Sequence, residues 1–263
     1  MKSRKPSVPY LIWMVAFTLI PLVTIVYYAF TDKNGSFSFE PFINAFFYSD
    51  IFLRSLWIAF VSCVICIILA YPMAYIMSRR SERVQNLFVM LVTIPMWMNF
   101  LLRIYAWVIL LQNNGPIDTA LSMLGIHIEL MNNAGAVVLG MVYEFLPFMI
   151  LPIYTVMSKI DNRLIEAAQD LGSNGFHVFK RVVLPLSVPG IISGITMVFV
   201  PSASTFLVAQ YLGGTDNIMI GDIIDKIFWT DQNTGSAISL LLMAAILIFL
   251  IVMNLFGDEE AIS

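Results

Sequence analysis

Two ionisable residues stand isolated inside long apolar stretches of this sequence, Arg103 and Glu144. A charge in hydrocarbon is costly, so one that persists there pairs with another, lines a path or meets a ligand. Two arrangements follow. Arg103 and Glu144 form a salt bridge that fixes helix packing, or Glu144 receives a cationic amine on a transport path. Aromatic residues cluster near them in sequence: Trp97, Phe100, Tyr105, Trp107 and Tyr143. Each ring face attracts a cation by about 0.5–2 kcal/mol, depending on desolvation, enough to hold a flexible polycation without trapping it. The competing assignment for any one ring is an interface belt or lipid-facing packing. Trp97, beside Pro95, is the leading path candidate, with Tyr105 next to the arginine. Cys63-x2-Cys66 has the spacing of a metal site. Two thiols in an apolar helix, with no histidine or carboxylate beside them, make packing the expected role and a metal site not. His127 and His177 lack the partners of a catalytic constellation, and no nucleophile with its base stands in the apolar stretches.

These residues need elements to position them, and composition says which kind. Of 263 residues, 59% are hydrophobic and 12% charged, with a mean hydropathy of +0.86. Ordinary globular chains are about 45–50% apolar and about 25% charged. That excess cannot be hidden in soluble cores. A net charge of −3, with no basic stripe, argues against a nucleic-acid partner.

A bilayer needs roughly 20 mostly apolar residues per spanning helix. Six stretches qualify, about 8–30, 55–78, 84–111, 134–157, 184–211 and 236–256, and the expected fold is an all-α integral membrane protein with six transmembrane helices in one domain over 1–263. Prolines fall in or beside five of them (Pro9, Pro21, Pro72, Pro95, Pro147, Pro152, Pro185, Pro189, Pro201). Packed membrane helices accept these, because neighbouring groups satisfy the freed carbonyls. The first stretch follows Lys2, Arg4 and Lys5 but is too long for a signal h-region, and reads as an anchor that stays.

Lysines and arginines set orientation. With the N-terminus cytoplasmic, Lys2, Arg4, Lys5, Arg79, Arg80, Arg83, Lys159, Arg163, Lys180 and Arg181 lie inside, and only Lys33, Arg54 and Lys226 lie outside. Both termini are therefore expected in the cytoplasm. The outer connections, 31–54, 112–133 and 212–235, carry Asp32, Glu40, Asp50, Asp118, Glu129, Asp216, Asp222, Asp225 and Asp231, a negative face consistent with a cationic cargo.

The inner connection 158–183 reads SKIDNRLIEAAQDLGSNGFHVFKRVV. Asp161 or Asn162 can cap a short helix and Gly172 can end it in a left-handed turn. At 100° per residue, Leu164, Ala167, Ala168 and Leu171 share a stripe, opposite Arg163, Glu166, Gln169 and Asp170. A second helical stretch, about 175–183, returns the chain to the bilayer at Pro185. An interfacial helix lying on lipid is the competing reading; the small alanine-based stripe, without Phe or Trp, argues for a protein partner instead.

Glu166-Ala167-Ala168, three residues, Gly172, nine residues, Val182, one residue and Leu184-Pro185 resembles the E-A-A-x3-G-x9-I-x-L-P signature of the membrane subunits of binding-protein-dependent ABC importers, with valine for isoleucine at 182. Ile94 to Asn99, Leu102 to Tyr105, Leu146 to Pro152 and Glu166 to Gly172 further resemble the permeases of spermidine/putrescine importers, a similarity covering about 9–256. The resemblance implies a type I importer (MetI-like) permease fold. Glu166, Ala167, Ala168, Asp170, Leu171 and Gly172 would then form the ATPase-coupling element. It also implies a multi-pass subunit of the cytoplasmic membrane, with a second permease subunit, two copies of a cytoplasmic ATPase and an extracellular or periplasmic polyamine-binding protein as partners.

This chain has no G-x4-G-K-[ST] phosphate loop. It is therefore expected to be non-catalytic and to carry no cofactor, with ATP and Mg held by the partner ATPase. Two rival readings are an importer for an amino acid or inorganic ion, and an ion-gradient-driven secondary transporter with Glu144 as its proton or sodium site.

Overall fold

The structure, a computed structural model, describes residues 8–261; Lys2, Arg4 and Lys5, which entered the orientation reading, lie outside that range. The chain opens with α1 (Val8–Met14) and α2 (Ile20–Ala29), joined through a π-helical turn, Val15–Leu19. A short α3 (Glu40–Ala45) and one 3-10 turn lead into the 30-residue α4 (Ser49–Ser78), then α5 (Glu82–Trp97), α6 (Phe100–Leu111) and α7 (Pro116–Met123). The central helix is α8 (Ala134–Met157). After it come α9 (Asn162–Asp170) and α10 (Gly175–Val178). A second π-helical turn, Phe179–Val183, merges α10 into α11 (Leu184–Ser204), followed by α12 (Leu207–Leu212), α13 (Ile220–Phe228) and α14 (Gln232–Ala261). Among the described residues, five helices are long and apolar enough to cross a membrane, six if the bent α5–α6 pair counts as one span.

Between apolar helices in lipid there is no hydrophobic drive, so close backbone approach and van der Waals packing must hold them together. Small residues supply it. On α4, Ala59, Cys63, Cys66, Ala70 and Ala74 recur every three or four positions and are buried against the bundle. The Cys66 thiol lies 3.9 Å from the Val142 carbonyl of α8, and Ser62 Oγ lies 3.6 Å from Met141 Sδ; both cysteines are free and serve packing. On α11, Gly190-x3-Gly194 does the same from the other side. A Cβ at Gly190 would sit 3.0 Å from the Pro152 carbonyl oxygen and 3.1 Å from Ile153 Cα, and one at Gly194 would sit 2.6 Å from Met149 Sδ. Helix α8 is thus gripped on two faces, and its Met141, Met149, Ile150, Ile153 and Met157 form the core.

Two expected spans are interrupted. The stretch 84–111 is not one helix: its axis turns by 91° between Glu82–Trp97 and Phe100–Met123. Met98 and Asn99 are extended there, and Asn99 Oδ1 accepts the Leu101 and Leu102 N–H groups at 2.9 and 3.4 Å, capping a fresh helix start. An asparagine that satisfies new N-terminal donors makes the break cheap. The stretch 184–211 likewise ends at Ser204, with Thr205 extended beyond Pro201 before α12 begins. The connections 31–54, 112–133 and 212–235 also carry helices not expected from the sequence, namely α3, α7 and α13, and α4 starts at Ser49, earlier than 55.

Each π turn stands immediately ahead of a proline. Ile20 N–H bonds to Val15 O before Pro21, and Leu184 N–H bonds to Phe179 O before Pro185. Proline crowds the carbonyl four residues earlier, and a widened i→i−5 turn relieves that crowding while keeping the helix continuous. The end of the bundle bearing the acidic connections is tied by polar contacts. Arg54 Nη2 donates to Ile218 O at 2.9 Å, Ser55 Oγ accepts from Ile220 N–H at 2.8 Å, and Asn233 Nδ2 donates to Thr31 O at 2.6 Å.

Replacing Gly190 with valine is expected to wedge α11 away from the α8 backbone, which cannot yield as a side chain would, and to destabilise the protein by about 1–3 kcal/mol. Thermal unfolding of the detergent-solubilised protein checks this; an unchanged midpoint would mean that the two helices do not need that approach.

Candidate functional site

The segment 158–183 folds as its caps dictate. Asp161 Oδ1 accepts the Arg163 N–H at 2.9 Å and starts α9. Gly172, at φ +82°, ends it: its N–H reaches Gln169 O at 2.8 Å, and Ser173 N–H reaches Ala168 O at 3.1 Å. A glycine adopts this left-handed conformation without a Cβ penalty, which explains the glycine of the E-A-A-x3-G spacing. Asn174 then caps α10 by accepting the His177 N–H at 2.9 Å.

The apolar side of α9 is divided. Ile165 and Ala168 are half-buried against the bundle core, beside Ile160 and Val182. Leu164 and Ala167 are exposed, and Leu171 is 88% exposed. Glu166 and Asp170 also face outward. At 100° per residue the apolar arc from Ala167 through Leu171, Leu164 and Ala168 to Ile165 spans about 160°, so one edge is seated on the protein's own core and the other has no cover. The sequence reading grouped Ala167 with Ala168; the structure separates them because Ile165 extends the arc and takes the inward place. Ile165 was missed, although its wheel position next to Ala168 carried the signal. Phe176, beyond the glycine turn, is exposed as well.

A second cluster lies where α6 meets α8. Arg103 Nη2 is 2.7 Å from Glu144 Oε2, with the residues 6% and 1% exposed. The Arg103 guanidinium stands 5.9 Å from the Phe100 ring centre. Arg103 Nε and Nη1 and Glu144 Oε1 have no protein hydrogen-bond partner. Beside the pair, Tyr105 Oη donates to Tyr211 Oη at 3.2 Å with rings 5.0 Å apart, and Trp107 meets Tyr143 edge-on at 5.5 Å. The two helices that follow breaks, α6 and α12, are thus fastened to each other and to α8. Of the four candidate path residues, the structure joins Arg103 to Glu144, gives Tyr105 a tyrosine partner that sequence spacing did not reveal, and leaves Trp97 85% exposed at the α5–α6 break. Among the described residues no three His, Cys, Asp or Glu side chains come together as a metal site.

Residues 66–258 match the family described as binding-protein-dependent transport system inner membrane component. The chain belongs to this family. It is accordingly a multi-pass inner-membrane permease. It is 38% identical to the spermidine/putrescine transport system permease protein PotB of Haemophilus influenzae, over 90% of this chain and 88% of that one. It is 32% identical to the protein of the same name from Escherichia coli K12, over 91% and 92%. The permease superposes on a chain of a bacterial ABC transporter that imports the acidic polysaccharide alginate, with a TM-score of 0.74 at 16% identity, covering 96% of this chain and 93% of that one. It superposes on a chain of the MetNI methionine ABC transporter with a TM-score of 0.56 at 17% identity, covering 79% and 91%. The fold of this permease is therefore the MetI-like fold of ABC importers, and membership in the family takes the place of the ion-gradient-driven alternative.

Breaking a buried ion pair by removing one member leaves a bare charge. Arg103→Met or Glu144→Leu alone is expected to destabilise this permease by about 3–5 kcal/mol. The double substitution, which removes both charges, is expected to recover most of that loss. Unfolding midpoints of the three variants test it; single variants as stable as the parent would show that the pair does not hold α6 to α8.

Proposed function

We propose that this permease forms, with a second permease subunit, the path of an ATP-driven importer for polyamines of the spermidine and putrescine class, and that α9 is the helix through which a separate ATPase drives it. The carrying observation is the uncovered apolar edge of α9. Fully burying a leucine is worth about 1.5–3 kcal/mol, so Leu171 and Leu164 together give a partner groove a substantial attachment, while Ala167 lets the partner approach the backbone. Glu166 and Asp170 flank that edge and can meet basic groups at the groove's rim. Two copies of the ATPase, one under each permease subunit, hold ATP and Mg and close on hydrolysis cycles; this chain contributes no cofactor site of its own. An external solute-binding protein delivers cargo to the acidic end, with the basic end and both termini in the cytoplasm, a reading supported by the distribution of lysine and arginine. The whole chain, 1–263, acts as one transmembrane domain.

The polyamine reading is supported by the two PotB relatives named above, 38% and 32% identical over about nine-tenths of the chain. The path residues fit it in two roles. Trp97 and Tyr105 offer exposed aromatic faces to an alkylammonium chain. Arg103 and Glu144 hold the bent half-helix that carries Tyr105, with Glu144's second oxygen left free of protein donors.

In a reconstituted complex, Leu171→Glu is expected to cut ATPase co-purification and ATP-driven uptake of labelled spermidine by about tenfold or more, since it exchanges a buried apolar contact for a buried charge. Membrane insertion should be unchanged, because the side chain lies outside the bundle. Unlabelled spermidine or putrescine should compete with parent uptake, and amino acids should not. Full uptake by Leu171→Glu would overturn the coupling assignment, and absence of polyamine competition would overturn the cargo.

A further inference from the structure

Helix α9 is joined covalently to α8 at one end and to α10 and α11 at the other. Its link to α4 and α5 is non-covalent and rests on a polar junction that neither the E-A-A signature nor the path residues include. Arg79 caps the C-terminus of α4 and reaches across with Nη1 to Asn162 Oδ1, the first residue of α9. Its guanidinium lies 5.6 Å from the ring centre of Tyr75, one turn earlier on α4. Behind it, Gln85 of α5 uses Nε2 to hold the α4–α5 turn, donating to Arg80 O at 2.7 Å and Ser78 O at 3.3 Å, and its Oε1 accepts from Tyr154 of α8 at 2.8 Å. The basic turn between the second and third spans is thus clamped on one side to the central helix and on the other to α9.

We propose that Arg79 is a positioning residue that transmits displacement of α9 to α4 and α5; the proposal rests on α9 being the ATPase-coupling helix. Three features carry it. First, the contact joins side chains 83 positions apart, so it reports a tertiary relation between α9 and the second span, not local helix geometry. Second, Arg79 is under-satisfied: Nε and Nη2 are buried without partners. A guanidinium has five donors; with only Nη1 spent on a side-chain acceptor and Nε and Nη2 shielded from solvent, a shift of α9 that breaks the Asn162 contact leaves the charge without a side-chain acceptor and is therefore costly. Third, the junction closes a loop. When α9 moves, α8 and α11 follow through the chain, and α4 follows α8 along the small residues from Ala59 to Ala74 that pack against it. Arg79 lies beyond that stretch and gives the α4–α5 turn its own pull, so that the broken third span moves with the rest and does not lag behind it. Gln85 keeps the turn rigid, which makes the pull act on α5 as well.

The test uses the assembled transporter in proteoliposomes and reads uptake and ATP hydrolysis together. Arg79→Met and, separately, Asn162→Leu should leave ATPase co-purification intact and lower cargo taken up per ATP hydrolysed by about five- to tenfold, within the usual range for coupling between sites. The double variant should be no worse than either single one, since both remove one contact. Asn162→Asp, which gives the guanidinium a charged acceptor, should keep uptake per ATP at or above the parent value. Asn162 is exposed, so its variants report even if Arg79→Met does not insert. Parent-like uptake per ATP in Asn162→Leu, or losses in the two singles that add in the double, would overturn the proposal. Loss of ATPase co-purification in the Asn162 variants would overturn it too, since the contact would then belong to docking. Failure of the coupling-helix reading itself shows elsewhere, as parent-like uptake by Leu171→Glu.

Discussion

A nine-residue helix in water does not hold its shape unaided, so α9 exists only through the way it is seated. Ile165 and Ala168 rest on the bundle core, Asp161 supplies the first cap, and Gly172 closes the last turn. Those contacts use one edge of the apolar arc. The other edge, Leu164, Ala167 and Leu171, stays open. The division leaves a short helix fixed to the bundle along one edge and open along the other, which is what the proposed coupling role requires. The π turn at Phe179–Val183 lets the helix run past Pro185 into α11 without a gap.

The same economy governs the membrane part. Helix α8 is gripped by the small-residue face of α4 and by Gly190 and Gly194 of α11, a close-packed trio. The pieces that follow breaks, α6 and α12, are attached differently, by the Arg103–Glu144 pair and by aromatic contacts. The bundle therefore has a centre held by backbone approach and a margin held by side-chain contacts, and the bent third span, with Trp97 uncovered at its corner, lies on that margin.

Much of this was legible in the sequence. Hydropathy and length placed the apolar stretches, because hydrocarbon thickness is a hard constraint on any spanning helix. The caps of α9 were legible because aspartate and glycine there have local physical roles. The isolated charges were legible as a possible pair because neither is tolerable alone. The two interruptions were not. Pro95 and Pro201 also fit continuous kinked helices, as Pro72 and Pro147 do in α4 and α8, and only the cap made by Asn99 and the tertiary seat of α12 decide otherwise. Tyr211 as the partner of Tyr105 and Arg79 as the partner of Asn162 lie at separations that no local pattern encodes. The Gly190-x3-Gly194 spacing was present in the sequence and is explained only by the backbone of α8 that it meets.

The central claim is that the open edge of α9, and not its seated edge, is where a nucleotide-hydrolysing subunit attaches. The most direct measurement places a photoactivatable cross-linking residue at position 171 or at position 165 in the membrane-embedded complex and identifies what each captures. An adduct with an ATP-hydrolysing protein is expected from position 171, and from position 165 only cross-links within this chain. Capture of no such protein from position 171, or equal capture from position 165, would contradict the claim.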